Sequence, residues 1–152
     1  MKLYKILLSI FILACFQSVV LAQLPKDTKT EKITTTKFVD LYDLYKTDVE
    51  GVELYSLSLP NNSKYYEPVI LYLGTYRELI SNLKNLSTTM CAGEDRDIFY
   101  FKCDDYKYKL VHHSVAGEYC FKVYKEHSSH RDYGILYKYV IDRILEYFDE
   151  EL

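Results

Sequence analysis

The chain has no tryptophan, only five glycines and three prolines among 152 residues, and no surplus of basic charge. Each shortage closes off a class of function. The five glycines are scattered and form no cluster able to cradle a phosphate. Nineteen Lys and Arg against 22 Asp and Glu leave a formal charge of −3, the wrong sign for neutralising nucleic-acid phosphates or docking on anionic lipid. There is no G-x-S-x-G elbow for a serine nucleophile. The acidic stretch Glu94 to Tyr106 lacks the alternating oxygen ligands and the glycine of a calcium loop. No catalytic residue, cofactor or metal ligand is therefore assigned.

What is present begins at the amino terminus. Lys2 and Lys5 precede an apolar stretch, Ile6 to Phe16, and Val19-Val20-Leu21 leads to a small residue, Ala22. A basic start, an apolar middle and a small exit residue describe a secretory signal peptide over residues 1–22. Read instead as a retained anchor, Ile6 to Ala22 is 17 residues, at the lower limit for spanning a bilayer, and Gln17 interrupts it. Cleavage after Ala22 is expected, leaving no stable membrane anchor. It removes two lysines and no acids, so 17 basic and 22 acidic residues give a mature charge of −5. The expected location is extracellular. The end Asp149-Glu150-Glu151-Leu152 matches the last two positions of a K-D-E-L-type retrieval signal, so the alternative is the lumen of the endoplasmic reticulum.

Tyrosine is abundant: 17 in all, 16 beyond the signal. Its ring suits half-buried strands and its hydroxyl suits a wet surface, so it serves both cores and interfaces. The sequons Asn61-Asn62-Ser63 and Asn85-Leu86-Ser87 make Asn61 and Asn85 candidate glycan sites. Asn61, in a turn-like stretch, is the better placed of the two.

Past the signal, residues 23–36 are polar and Thr/Lys-rich and read as a flexible leader. Residues 37–152 read as one α+β domain. Phe38, Leu41, Tyr42, Tyr45 and Val49 recur at helix-face spacing, with Thr36 as a possible cap and Gly51 as the stop. Val52 to Leu59 and Pro68 to Leu73 flank the breaker Pro60-Asn61-Asn62-Ser63 and predict a hairpin. Thr75-Tyr76-Arg77-Glu78 is a capping box opening a helix with Leu79, Ile80, Leu83 and Leu86 on its apolar face. After a loop over Ser87 to Arg96, three strands are predicted at Asp97 to Cys103, Tyr106 to His113 and Tyr119 to Lys125. Alternation puts Phe99, Phe101 and Cys103 on one side of the first, and Tyr106, Tyr108, Leu110 and His112 opposite Lys107, Lys109 and His113 on the second; on the third, Tyr119, Phe121 and Val123 point inward and Cys120, Lys122 and Tyr124 outward. A long final helix is expected from Tyr133 to Phe148, where apolar residues recur every three or four positions. The expectation is an antiparallel sheet of about five strands covered by that helix and one or two shorter ones. No internal repeat is visible.

Three cysteines remain after cleavage: Cys91, Cys103 and Cys120. In an up-down-up meander, Cys103 and Cys120 lie at opposite ends of strands roughly 10 Å apart, beyond the Cα limit of about 7 Å for a disulfide. That leaves Cys91–Cys120 as the expected bridge and Cys103 as a buried free thiol beside Phe101. Histidines pair as His112-His113 and as His127 with His130 near Asp132. Neighbouring strand histidines point to opposite faces, so they read as structural or surface residues. The function expected is a non-catalytic binding protein, directed at another organism or a surface, whose partner is an unidentified protein or small molecule. A small-ligand carrier with an apolar pocket between sheet and final helix is the alternative, and a lumenal or extracellular hydrolase is the third.

Overall fold

The computed structural model describes residues 29–33 and 41–150. The signal segment lies outside these residues, as do Phe38 and most of the leader. Eight strands and two helices follow in order: β1 Lys29–Ile33, β2 Asp43–Val49, β3 Val52–Leu59, β4 Val69–Gly74, α1 Tyr76–Ala92, β5 Ile98–Cys103, β6 Tyr106–Val115, β7 Glu118–Lys125, β8 Gly134–Tyr137 and α2 Lys138–Glu150. The class is α+β, but the strands form two antiparallel four-stranded sheets, β1-β2-β3-β4 and β5-β6-β7-β8, rather than one sheet of about five.

Two expected elements are replaced at the front of the domain. Within the leader, Lys29–Ile33 is a strand, aligned on β2 from Lys29 opposite Asp48 to Ile33 opposite Leu44. The helix expected from Phe38 is a strand over Asp43–Val49, paired on both sides. The glycine read as a helix stop is a hairpin turn instead: Glu50 and Gly51 both have positive φ, 54° and 83°, the two-residue geometry whose twist matches paired strands. The Gly51 N–H donates to the Asp48 carboxylate at 2.9 Å. β2 carries Tyr45, Thr47 and Val49, which suit a pleated surface better than a helix.

The capping box is formed. The Thr75 N–H and hydroxyl both donate to the Glu78 carboxylate, at 2.8 and 2.7 Å, and hold its pKa below the usual carboxylate range. The contribution of those bonds to stability is present above the ordinary carboxylate range and lost as pH falls through the lowered pKa. Leu79, Leu83, Leu86 and Met90 are buried, so the apolar stripe carries the helix through Ala92, across the segment expected to be a loop from Ser87.

The final helix begins later than its stripe suggests. Gly134–Tyr137 is strand β8, and helix starts only at Lys138. Leu136 is buried in either reading, so its spacing to Val140 did not discriminate. Gly134 decides the matter: a Cβ there would lie 2.7 Å from Cβ of Leu59 and 3.0 Å from Cβ of Val69. Only glycine lets β8 lie so close to the first sheet.

The two halves repeat one another as β-β-β-β-α. Each has a two-residue turn ending in glycine between its second and third strands, Glu50-Gly51 and Ala116-Gly117, all four with positive φ. Each fourth strand carries Ile-Leu-Tyr, at 70–72 and at 135–137. A buried tyrosine of each half then bonds the fourth strand of the other. Tyr108 donates to the Ile70 carbonyl at 2.9 Å and accepts from the Tyr72 N–H at 3.1 Å. Tyr42 donates to the Ile135 carbonyl at 2.8 Å. Burial raises the pKa of both phenols. The two halves share a single apolar core, drawn from the inner faces of both sheets and from α1 and α2.

Candidate interaction surface

The second sheet buries one face and offers the other. Its inner face carries Tyr108, Leu110, His112, Phe121, Val123 and Leu136 into the core. On the outer face the register aligns residues in cross-strand rows. Lys102 stands opposite Lys107; Tyr100, Lys109 and Tyr124 form the next row; Ile98, Val111, Lys122 and Ile135 form the one beyond. Neighbouring strands are about 4.8 Å apart and successive rows about 7 Å, so these lysines make a diagonal stripe over three strands.

Tyrosines interleave with that stripe. The Lys109 ammonium lies 5.8 Å from the centre of the Tyr124 ring and Lys122 lies 5.2 Å from that of Tyr133, both within cation–π range. Tyr124 and Tyr133 lean together with centroids 5.1 Å apart, and burial raises the pKa of Tyr124. Tyr100 is 81% exposed. It borders a cavity of about 210 Å³ walled also by Lys102, Lys107, Lys109 and Glu126. Lys107 is paired with Glu126 at 3.4 Å. Among the described residues Lys102, Lys109 and Lys122 have no ion pair. On a chain of net charge −3 this is a concentration of uncompensated positive charge.

The alternation of β6 and β7 had set Lys107, Lys109, Lys122 and Tyr124 outward. Alternation in β5 parts Tyr100 and Lys102 from Phe99, Phe101 and Cys103, but only strand register and the β7–β8 loop bring them and Tyr133 beside these lysines. The outer face of the first sheet is different in kind: Ser56 and Ser58 occupy it beside Tyr45, Tyr72 and Ile70, and its Lys32 is tied to Asp43 at 2.6 Å.

The other candidate residues do not gather. All three cysteines are free thiols, and the expected Cys91–Cys120 bridge is not formed. The reason is geometric. His112 is 1% exposed, and its Nε2 donates to the Met90 carbonyl at 2.9 Å, which holds the last turn of α1 against the inner face at Met90. Cys120 stands opposite His113, on the face away from His112, and is buried, whereas Cys91 is exposed. Cys103 is buried on the side of Phe101, and burial, with Asp104 nearby, pushes its thiol up to about 11. Burial also raises Cys120. Iodoacetamide at neutral pH is accordingly expected to label Cys91 alone on the native chain and all three thiols after unfolding. Peptide mass spectrometry showing Cys103 or Cys120 labelled as fast as Cys91 would contradict these burials.

Asn61 is engaged: its amide donates to the Glu67 carbonyl at 3.0 Å and to the Asp132 carboxylate at 2.8 Å. A glycan would take one of the two amide hydrogens and with it one of these bonds. Asn85 lies exposed on α1. His113 contacts Asp95 at 3.1 Å, while His127 and His130 are exposed. Among the described residues no three His, Cys, Asp or Glu side chains converge on a metal position. No described helix is long and apolar enough to cross a membrane.

The alternative carrier reading places a pocket between the sheet and the final helix. That interface is filled by Val140, Ile141, Ile144 and Phe148, all buried. An open groove of about 440 Å³ lies instead along α1 and α2, floored by Tyr76, Ile80, Leu145 and Phe148 and rimmed by Lys84, Asp142, Glu146 and Asp149.

No family model, no curated protein and no solved structure matches this chain.

Proposed function

We propose that this is a secreted, non-catalytic binding protein that engages an acidic protein partner, on another organism or on a surface, through the Lys/Tyr outer face of the second sheet. The observation that carries the reading is the set of three lysines without acidic partners among the described residues, interleaved with tyrosines, on an otherwise acidic chain. Positive potential on one face steers an acidic partner and sets its orientation, and tyrosine supplies ring contact at low entropic cost. The first 22 residues support secretion, and on that route Asn85 is the sequon better able to hold a glycan without loss of a hydrogen bond.

Immobilised poly-glutamate tests the charge requirement. The wild-type protein is expected to be retained at low salt and released as salt rises. A triple variant, Lys102→Glu, Lys109→Glu and Lys122→Glu, should bind at least about tenfold more weakly with an unchanged melting temperature. Equal retention of the two proteins would reject this face. Stronger retention on single-stranded DNA than on poly-glutamate would reassign the partner to a phosphate polymer.

A further inference from the structure

Among the described residues there are four sheet edges, and the fold closes two of them. The free side of β4 is taken up by the Tyr108 hydroxyl, which bonds the Tyr72 N–H and the Ile70 carbonyl. The free side of β8 is taken up by Tyr42 on the Ile135 carbonyl, by the Ile135 N–H on Pro60 and by the Asn62 N–H on Tyr133. β5 has no such cover among the described residues, although it is the strand least suited to stand open. Ile98-Phe99-Tyr100-Phe101 is a run of apolar and aromatic β-formers with no charge and no proline. Ile98 is 52% exposed, Tyr100 is almost entirely exposed, and Phe99 and Phe101 are half-buried. Natural sheets protect such an edge with charge, proline or a bulge, or else pair it.

The direction of the open backbone groups follows from the ladder. The Arg96 N–H bonds the His112 carbonyl and the His112 N–H bonds the Asp97 carbonyl, so the even residues of β6 face β5. Their partners at the even positions of β6 are Phe99, Phe101 and Cys103. The N–H and C=O groups of Ile98, Tyr100 and Lys102 therefore point away from the sheet.

We infer that β5 pairs antiparallel with β5 of a second copy of this chain, on a twofold axis at Tyr100. This does not depend on the acidic-partner reading. Antiparallel pairing must match outward-pointing residues with one another, which leaves few registers. With the axis at Tyr100, Tyr100 meets Tyr100 and Ile98 meets Lys102. Phe99 meets Phe101 on the other side, giving two aromatic pairs across the axis. The same register keeps all three outward-pointing residues, Ile98, Tyr100 and Lys102, paired within the strand. An axis at Phe99 would carry Lys102 past the start of the strand to Arg96, whose φ is 74°. An axis at Phe101 would carry Ile98 past the end of the strand to Asp104. The near-palindrome Phe-Tyr-Phe and the bounds of the strand thus select one occupant and one register. The resulting eight-stranded sheet sets the Lys/Tyr faces of the two copies side by side.

Sedimentation equilibrium of the purified protein is expected to show a reversible dimer. Tyr100→Glu places a carboxylate beside Lys109 within the chain but against another carboxylate across the axis. It should leave the fold intact and weaken dimerisation by about tenfold or more. In a Cys91→Ser background, Tyr100→Cys should oxidise readily to a disulfide-linked dimer, because directly opposed residues of a hydrogen-bonded pair lie about 5.5 Å apart. Ile98→Cys should not, since its two copies are separated by four residues along the strands. A protein that stays monomeric up to its solubility limit would overturn the proposal, as would Ile98→Cys cross-linking as fast as Tyr100→Cys.

Discussion

Replacing Ile144 with Asp is expected to cost about 4–5 kcal/mol or more, a large part of the roughly 5–15 kcal/mol that holds a domain of this size. Ile144 has no exposed surface and sits mid-stripe on α2, flanked by Val140, Ile141 and Phe148, all within the common core. A carboxylate there has no donor or cation within the apolar cluster, so it either stays charged without solvation or takes up a proton. Both cost free energy. Because the core is shared by the two halves, loss of α2 should unfold both together, seen as one cooperative transition at a much lower temperature. A variant melting within a couple of degrees of wild type would show that α2 does not pack in this way.

Gly134→Val should be nearly as damaging, and for the opposite reason. No polar group is buried and no cavity is made; the site is already full. The added Cβ would fall 2.7 Å from that of Leu59, and the branched methyls would press further on Leu59 and Val69. Neither is a flexible tip that can swing aside. Both belong to strands of the first sheet, so relief requires the sheets to separate. Overpacking of this kind costs about 1–3 kcal/mol and occasionally more, and a branched residue at this distance belongs at the upper end. Urea unfolding should show a lower midpoint with an unchanged slope. Gly134→Ala should lie between wild type and Val. If Ala and Val both unfold with wild type, β8 does not lie against Leu59.

Patterns confined to one element were readable. The capping box of α1 needs only Thr75 and Glu78, and both bonds are present. The inward and outward sides of β6 and β7 follow from alternation alone, since a strand has no other way to segregate its side chains. Those same alternations placed four residues of the proposed interaction face. The failures fall where one stretch satisfies two periods. Asp43–Val49 mixes polar and apolar residues on both parities, and only pairing with β1 and β3 makes it a strand. Gly134–Tyr137 continues the period of α2 yet extends against β7, because Gly134 and the Tyr42 hydroxyl fit that path.

By itself the sequence determined which side of β6, of β7 and of α1 is apolar, where α1 begins, and the α+β class. These depend on residues a few positions apart, and the chain cannot satisfy them in another way. Tertiary structure alone decided how many sheets form, which edges are closed and which cysteines are buried. Such choices turn on contacts between distant segments: Tyr108 with β4, Tyr42 with β8, Gly134 with Leu59. Their partners are 38, 93 and 75 positions apart, and nothing in the local pattern of either partner points to the other.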